Sequence, residues 1–288
     1  MALTRIVSFG RMIKFSHSIF ALPFALAAAA LAVRGGVRPD AWRWVLIVAA
    51  LVGARTAALG FNRLVDLRFD RANPRTRQRE LVTGQISVRA AAVLTVLAAA
   101  LFVAAAAAIS PLCGALAPVA LALVCGYSYS KRFTWACHLV LGLAIAAAPV
   151  GAWIAMRGHL GAPAGALALA VATWVGGFDV LYALSDLEFD RAAGLCSIPA
   201  RFGARRALVI SAALHLVTLL ALIALGYLAG LGAAYFGGVA LIGALLAWEH
   251  GLVRPGDLSR LDAAFFTLNG WVSVGFLAFT LLDLALHR

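Results

Sequence analysis

The sequence predicts an all-α fold: a polytopic membrane helical bundle of nine transmembrane helices, arranged as two four-helix repeats plus one extra helix. Three observations carry this reading. First, 64% of the 288 residues are hydrophobic and only 12% are charged, whereas a soluble domain is nearer to about one half apolar and one quarter charged. A soluble chain of this composition has nowhere to put its apolar surface, which excludes a soluble enzyme, a disordered chain and a disulfide scaffold. Second, nine apolar stretches approach the roughly 20 residues a helix needs to cross a bilayer. Third, residues 64–72 (LVDLRFDRA) and 184–192 (LSDLEFDRA) agree at seven of nine positions, at an offset of 120. The shared residues include acids and an aromatic rather than only the Ala and Leu that recur by chance in membrane sequence, so the match reads as an internal repeat. Four spans separate the copies and give them parallel orientation, as in membrane proteins built of parallel repeats.

The first expected span is 16–34. Arg5, Arg11 and Lys14 precede its Ala-rich core in the manner of a signal peptide, but the multi-spanning remainder argues for a retained helix. Spans 42–61, 89–109, 112–129 and 135–156 follow, then 164–185, 207–229, 231–249 and 263–285. Gly and Pro inside them are ordinary in membrane helices. The chain reads as one domain, 1–288, with repeat-like halves near 1–130 and 131–249 and a last helix at 263–285.

The net charge of +12 would suggest nucleic acid in a soluble protein. Here it follows topology, and no nucleic-acid partner is expected; the partner is the lipid bilayer. The N-terminus and loops 62–88, 130–134, 186–206 and 250–262 hold 18 of the 24 basic residues, counting Arg89 at a loop edge. The positive-inside rule therefore places the N-terminus and these loops in the cytoplasm and the C-terminus outside. Cys113, Cys125, Cys137 and Cys196 form no CxxC pair and read as packing residues.

Half of the twelve acids fall in and just ahead of the repeated motif: Asp66 and Asp70, then Asp179, Asp186, Glu188 and Asp190. Helical positions four apart share a face. If the second span continues into its motif, Arg55, Asn62, Asp66 and Asp70 form one stripe. If the sixth does likewise, Asp179, Tyr182, Asp186 and Asp190 form another, and Glu188 points to solvent. Ionisable groups near lipid face a cavity, a partner or a pathway, and two carboxylates on one face repel unless a cation joins them. Mg²⁺ is the natural cation, since it takes oxygen ligands and bridges one or two carboxylates to phosphates. Asn62 adds a neutral oxygen, and no His or Cys belongs to either stripe, which argues against Zn²⁺. The first loop also carries Arg63, Arg68, Arg71, Arg75, Arg77 and Arg79, and the loop after the fourth span carries Lys131 and Arg132. Metal-bound carboxylates beside such cations suit a polyanion, diphosphate being the obvious one.

These motifs resemble those of the UbiA superfamily of intramembrane aromatic prenyltransferases. NRLVDLRFD has the family form NxxxDxxxD, with Arg55 seven residues ahead, and RTRQRELVTGQIS is similar to RTxxRPLPSGxIS, with Glu80 where many members have Pro. DVLYALSDLEFDRAAGLCSIPARFG resembles the second motif, and YSYSKRFT the YPxxKRxT segment between them. MIKFSHSIFALPFAL and the second motif look closest to 4-hydroxybenzoate polyprenyltransferase-like members, a subgroup that includes MqnP-like proteins. The resemblance implies that Asn62, Asp66 and Asp70 hold one Mg²⁺ and that Asp186 and Asp190, with or without Asp179, hold a second. The pair would grip a polyprenyl diphosphate with help from Arg79 and Lys131, and Arg55, Asp179 and Tyr182 would contact substrate. It implies prenylation of an aromatic acid of the 4-hydroxybenzoate type in ubiquinone or menaquinone biosynthesis, or of a dihydroxynaphthoate, in a prokaryotic cell membrane.

Some residues keep open readings. Arg55 could clamp the aromatic acid, join the diphosphate site, or make a structural ion pair, for instance with Asp179. Lys14 and His17 could contact the acceptor or snorkel. Loop 62–88 could close over the donor as a lid. His138, His159, His215 and His250 show no ligand spacing and receive no role, and Trp42, Trp44, Trp153 and Trp248 read as an interfacial belt. A secondary transporter is the rival from another class, because parallel repeats and buried acids fit it too. A CDP-alcohol phosphatidyltransferase would need a DGxxAR segment, which the sequence lacks.

Overall fold

The computed structural model describes residues 9–10, 12, 21–34, 40–253, 260–261 and 263–287. Lys14, His17 and the leading part of the expected first span lie outside the described residues. Every regular element among the described residues is helical. The bilayer dictates this, because a chain crossing lipid must satisfy its backbone hydrogen bonds internally.

The helices are α1 (Leu22–Val33), α2 (Ala41–Val65), α3 (Leu67–Ala72), α4 (Val88–Ile109), α5 (Pro111–Gly126), α6 (Cys137–Arg157), α7 (Ala162–Tyr182), α8 (Leu187–Ala192), α9 (Ile198–Phe202), α10 (Ala204–Leu228), α11 (Ala233–Leu252) and α12 (Asn269–Leu286). Among the described residues, eight helical stretches are long and apolar enough to cross a membrane, and they coincide with the second to ninth expected spans. α1, with 12 residues, lies within the first expected span and is shorter than a full crossing.

The caps show why the helices start where they do. Asp40, Ser87 and Ser110 accept the backbone N–H of Arg43, Ala90 and Cys113 at 2.8, 3.2 and 3.1 Å, which satisfies first-turn donors of α2, α4 and α5. α11 is capped from another helix. Asp283 of α12, buried, accepts the N–H of Gly232 at 3.0 and 2.9 Å and that of Tyr235 at 3.3 Å. A carboxylate at a helix N-terminus meets both the orphan donors and the positive end of the dipole. Arg34 does the converse at the end of α10, donating to the carbonyls of Ala229 and Gly230 at 2.9 Å each, and Arg157 donates to the carbonyl of Arg34.

The chain divides into two compact units. The first holds residues 1–18 and 40–129, the second 19–39 and 130–288. In the first, α2 packs along α4, and α5 touches both. Gly53 and Gly60 permit the approach: a Cβ on Gly53 would lie 2.8 Å from the backbone nitrogen of Phe102. In the second unit, successive contacts run α10–α7–α6–α1–α12–α11 and back to α10, so six helices close a circuit. Aromatic rings fill part of it. Phe24 of α1 lies 4.9 Å from Trp174 of α7 and 4.7 Å from Phe276 of α12.

One aromatic expectation is corrected. Trp42 and Trp248 are exposed as an interfacial belt requires, but Trp153 is buried, packed beside Gly161, so it belongs to the interior.

Candidate active site

In the first unit the site begins where α2 ends. The helical path does not run straight through the motif: it breaks at Asp66, the shared cap between α2 and α3. The backbone bonds persist across the break, Asp66 N–H to Asn62 carbonyl at 2.9 Å and Asp70 N–H to Asp66 carbonyl at 2.8 Å. Asn62, Asp66 and Asp70 therefore keep their spacing of one turn each. The Asn62 amide donates to Asp66 Oδ2 at 2.9 Å and to Ser128 Oγ at 3.4 Å, while its oxygen accepts from Arg63 Nη1 at 3.3 Å. Asp70 is buried and accepts from Arg79 Nη1 at 2.6 Å, a short charge-assisted bond. Arg79 reaches it because residues 73–83 fold as consecutive turns, with Thr76 and Arg77 donating to the Asn73 carbonyl and Thr76 Oγ1 to the Asp70 carbonyl. Leu81 and Ile86 are buried with Phe9, Met12 and Ala91, which anchors the end of loop 62–88 to the start of α4. Arg55 sits on α2, about two turns before Asn62, half-buried.

The second unit repeats the arrangement with different connections. α7 ends at Tyr182, and a 3₁₀ turn over Ala183–Asp186 leads into α8. The tighter turn departs from the continuous α-helix assumed for the second stripe. Asp190 is buried and holds Lys131 Nζ at 3.1 and 3.3 Å from its two oxygens, and the Ser197 hydroxyl bonds to it as well. Lys131 lies in the field of three carboxylates, Asp190, Asp186 and Asp179. The structure thus gathers these four residues. Tyr182 is half-buried, its ring edge-on to Phe266 at 6.2 Å. Glu188 is 87% exposed, as expected, with Arg191 at 3.7 Å.

The partner of Asp179 is a residue that sequence reasoning left without a role. His138 Nδ1 lies 2.6 Å from Asp179 Oδ2. Two further links were also missed: the Cys196 N–H donates to the Lys131 carbonyl at 2.7 Å, and the Cys137 thiol approaches the Cys196 carbonyl at 3.5 Å. They stitch the corner at 131–138 to the turn at 195–198. No spacing rule marks such partners, because they meet across elements.

Among the described residues, no three His, Cys, Asp or Glu side chains converge to make a closed metal cage. Oxygen donors in pairs, each with a basic side chain alongside, fit an open mode of binding. In that mode Mg²⁺ takes one or two carboxylates and completes its shell with water and substrate phosphate.

Residues 21–271 match the UbiA prenyltransferase family. The chain belongs to that family. The match takes in both acidic motifs and α1 to α11, and it sets aside the transporter and phosphatidyltransferase readings. Among similar sequences, a 4-hydroxybenzoate octaprenyltransferase of Pseudomonas aeruginosa (strain LESB58) is 32% identical over 249 residues, covering 86% of this chain and 83% of its own. The apo structure of a UbiA homologue from Aeropyrum pernix K1 superposes with a TM-score of 0.85 at 33% identity, over 93% of this chain and 98% of that one. A UbiA homologue from Archaeoglobus fulgidus, solved with DMAPP and Mg²⁺, shares the fold at a TM-score of 0.69 and 22% identity, over 96% of this chain and 99% of the other. Membership of the UbiA family makes this chain a multi-pass membrane prenyltransferase.

Proposed function

We propose that this UbiA-family protein transfers a polyprenyl group from an allylic diphosphate to an aromatic acid of the 4-hydroxybenzoate type, within quinone biosynthesis. The observation that carries the reading is the doubled pairing of a buried motif carboxylate with a basic side chain: Asp70 with Arg79, and Asp190 with Lys131. Each half offers an anionic pocket for a cation and a cation for an anion. A magnesium diphosphate supplies both.

Asn62, Asp66 and Asp70 would hold one Mg²⁺, and Asp186 and Asp190 a second. Bound there, the metal supplies Lewis-acid neutralisation of the diphosphate. Arg79 and Lys131 then exchange their carboxylates for diphosphate oxygens and stabilise charge as it develops on the leaving group. The allylic C–O bond breaks with its electron pair going to the diphosphate. A ring carbon ortho to the phenol attacks the allyl cation, and the ring loses a proton to restore aromaticity. Apolar helix faces keep water from the cation. Arg55, Asp179 and Tyr182 contact the substrates, with Arg55 suited to the carboxylate of the acceptor. The substrate-handling loops lie on the cytoplasmic side, where the basic residues concentrate.

Membranes containing the chain, supplied with an all-trans allylic polyprenyl diphosphate and Mg²⁺, test this directly. The acceptors 4-hydroxybenzoate and 1,4-dihydroxy-6-naphthoate are assayed separately, with Asp66→Ala as control. A prenylated product lost with EDTA and with Asp66→Ala supports the reaction, and the preferred acceptor names its branch. Folded protein that prenylates neither acceptor refutes the acceptor class.

A further inference from the structure

His138 is fully buried on the first turn of α6, and both of its ring nitrogens are engaged. Nε2 lies 3.3 Å from the backbone nitrogen of Ile198, and Nδ1 lies 2.6 Å from Asp179 Oδ2. The two contacts assign the tautomer. A backbone N–H can only donate, so Nε2 presents its lone pair to Ile198. The ring proton therefore sits on Nδ1 and is donated to Asp179. Ile198 is the first residue of α9, where a backbone N–H has no partner within its own helix. The ring thus acts as a rigid spacer. One end is fixed on the start of α9, and the other holds a carboxylate at the end of α7.

Asp179 differs from its neighbours in the cluster. Asp190 and Asp186 are buried, whereas the Asp179 side chain keeps 25% of its surface open while His138 has none. A carboxylate that is open on one side and clamped on the other by a short bond is held in one rotamer. That is the condition for meeting a substrate without an ordering cost. The stitching of 131–138 to 195–198 extends the same support to Lys131 and Asp190.

We propose that His138 is a positioning residue that acts through Asp179, fixing the orientation of its carboxyl for the transfer reaction. The proposal rests on the reading of Asp179 as a substrate-contacting residue. Four detergent-purified variants separate the two: His138→Leu, His138→Asn, Asp179→Asn and the double His138→Leu/Asp179→Asn. Initial rates are taken with an all-trans allylic polyprenyl diphosphate, Mg²⁺ and 4-hydroxybenzoate. The side-chain amide of Asn stands where Nδ1 stood and can still donate. His138→Leu should lower kcat by about tenfold or more with donor KM within about twofold, and His138→Asn should keep at least about one third of the wild-type kcat. The double variant should be no slower than Asp179→Asn alone, because a residue acting through another has nothing left to act on. Losses that multiply in the double variant overturn the proposal, since they describe a buried histidine that only supports the fold. So does His138→Asn falling below about one tenth of wild type at an unchanged thermal midpoint, a result that stands even if His138→Leu does not fold. Full activity in Asp179→Asn is a different failure: it removes Asp179 from the site and this role of His138 with it.

Discussion

The ammonium of Lys131 lies 3.1 Å from one carboxylate oxygen of Asp190 and 3.3 Å from the other. The first unit holds the counterpart, Arg79 on Asp70 at 2.6 Å. Asp70 and Asp190 are the same position of the repeated motif, so both copies pair this acid with a basic side chain. The two cations come from different places. Arg79 lies nine residues beyond its acid in the following loop, and Lys131 lies 59 residues before its own. Each neutralises a buried carboxylate, and under the proposed function each would turn to the diphosphate once Mg²⁺ took its place.

If Lys131 moves to the diphosphate in the reaction, its loss should fall on turnover rather than on folding. Lys131→Gln is expected to lower kcat by about 10²–10³, the effect of removing one charged donor from a developing oxyanion. Lys131→Arg should recover part of this, since a guanidinium keeps the charge but changes its geometry. Steady-state kinetics with the donor varied, together with a thermal melt, check it. A melt shifted as far as kcat falls would assign Lys131 to structure.

Metal dependence follows from the donor sets. Asp66→Asn and Asp190→Asn should each raise the Mg²⁺ concentration needed for half-maximal rate by about tenfold or more, because each removes an anionic oxygen from a hard cation. Glu188→Gln should leave it unchanged, because that carboxylate points to solvent. Titrating the rate with Mg²⁺ after EDTA treatment measures all three. An equal Mg²⁺ requirement across the set would argue against the carboxylates as ligands.

The parts legible in the sequence are those that lipid and repetition impose. A bilayer forces long apolar runs, so the second to ninth spans match helices to within a few residues at most ends. Acids are costly near lipid, so the repeated pair stands out, and Lys131, one of only two lysines, stands out with it. What sequence could not show is what depends on contacts between elements. His138 sits in an apolar run, 41 residues from its partner. The 3₁₀ turn at Ala183–Asp186 changes the register of the second stripe, and nothing in YALSD marks it. Asp283 and Glu249 lie singly in apolar helices, and their partners come from other elements.

Packing gives a prediction independent of chemistry. A Cβ on Gly142 of α6 would run into the carbonyl of Ala172 of α7, whereas Gly151 of the same helix has open space. Small residues at such crossings let membrane helices approach closely. Gly142→Ala should destabilise the protein by about 1–3 kcal/mol, as overpacking does. Gly151→Ala should be neutral or slightly stabilising, since alanine is the better helix former by about 1 kcal/mol. Thermal unfolding of both variants in one detergent makes the comparison; equal midpoints would contradict the close approach of α6 and α7.

A buried polar chain ties three helices of the second unit and makes the last prediction. Trp174 Nε1 donates to Asn269 Oδ1 at 2.7 Å, and the Asn269 amide donates to Glu249 Oε1 at 2.7 Å. Trp174 and Asn269 are fully buried, Glu249 nearly so, and Glu249 Oε2 has no hydrogen-bond partner among the described residues. Asn269 is the only member that both accepts and donates here, so its removal strands two groups. Asn269→Leu should cost about 2–4 kcal/mol, the sum of two unsatisfied buried groups. Glu249→Gln keeps the oxygen that Asn269 needs and removes a carboxyl from an apolar interior, so it should stay within about 1 kcal/mol of wild type. Thermal melts at neutral pH decide between them. If Glu249→Gln proved as damaging as Asn269→Leu, the carboxyl would have to be ionised and paired. His215, whose Nδ1 lies 3.8 Å from Glu249 Oε2, would then be the group to replace next.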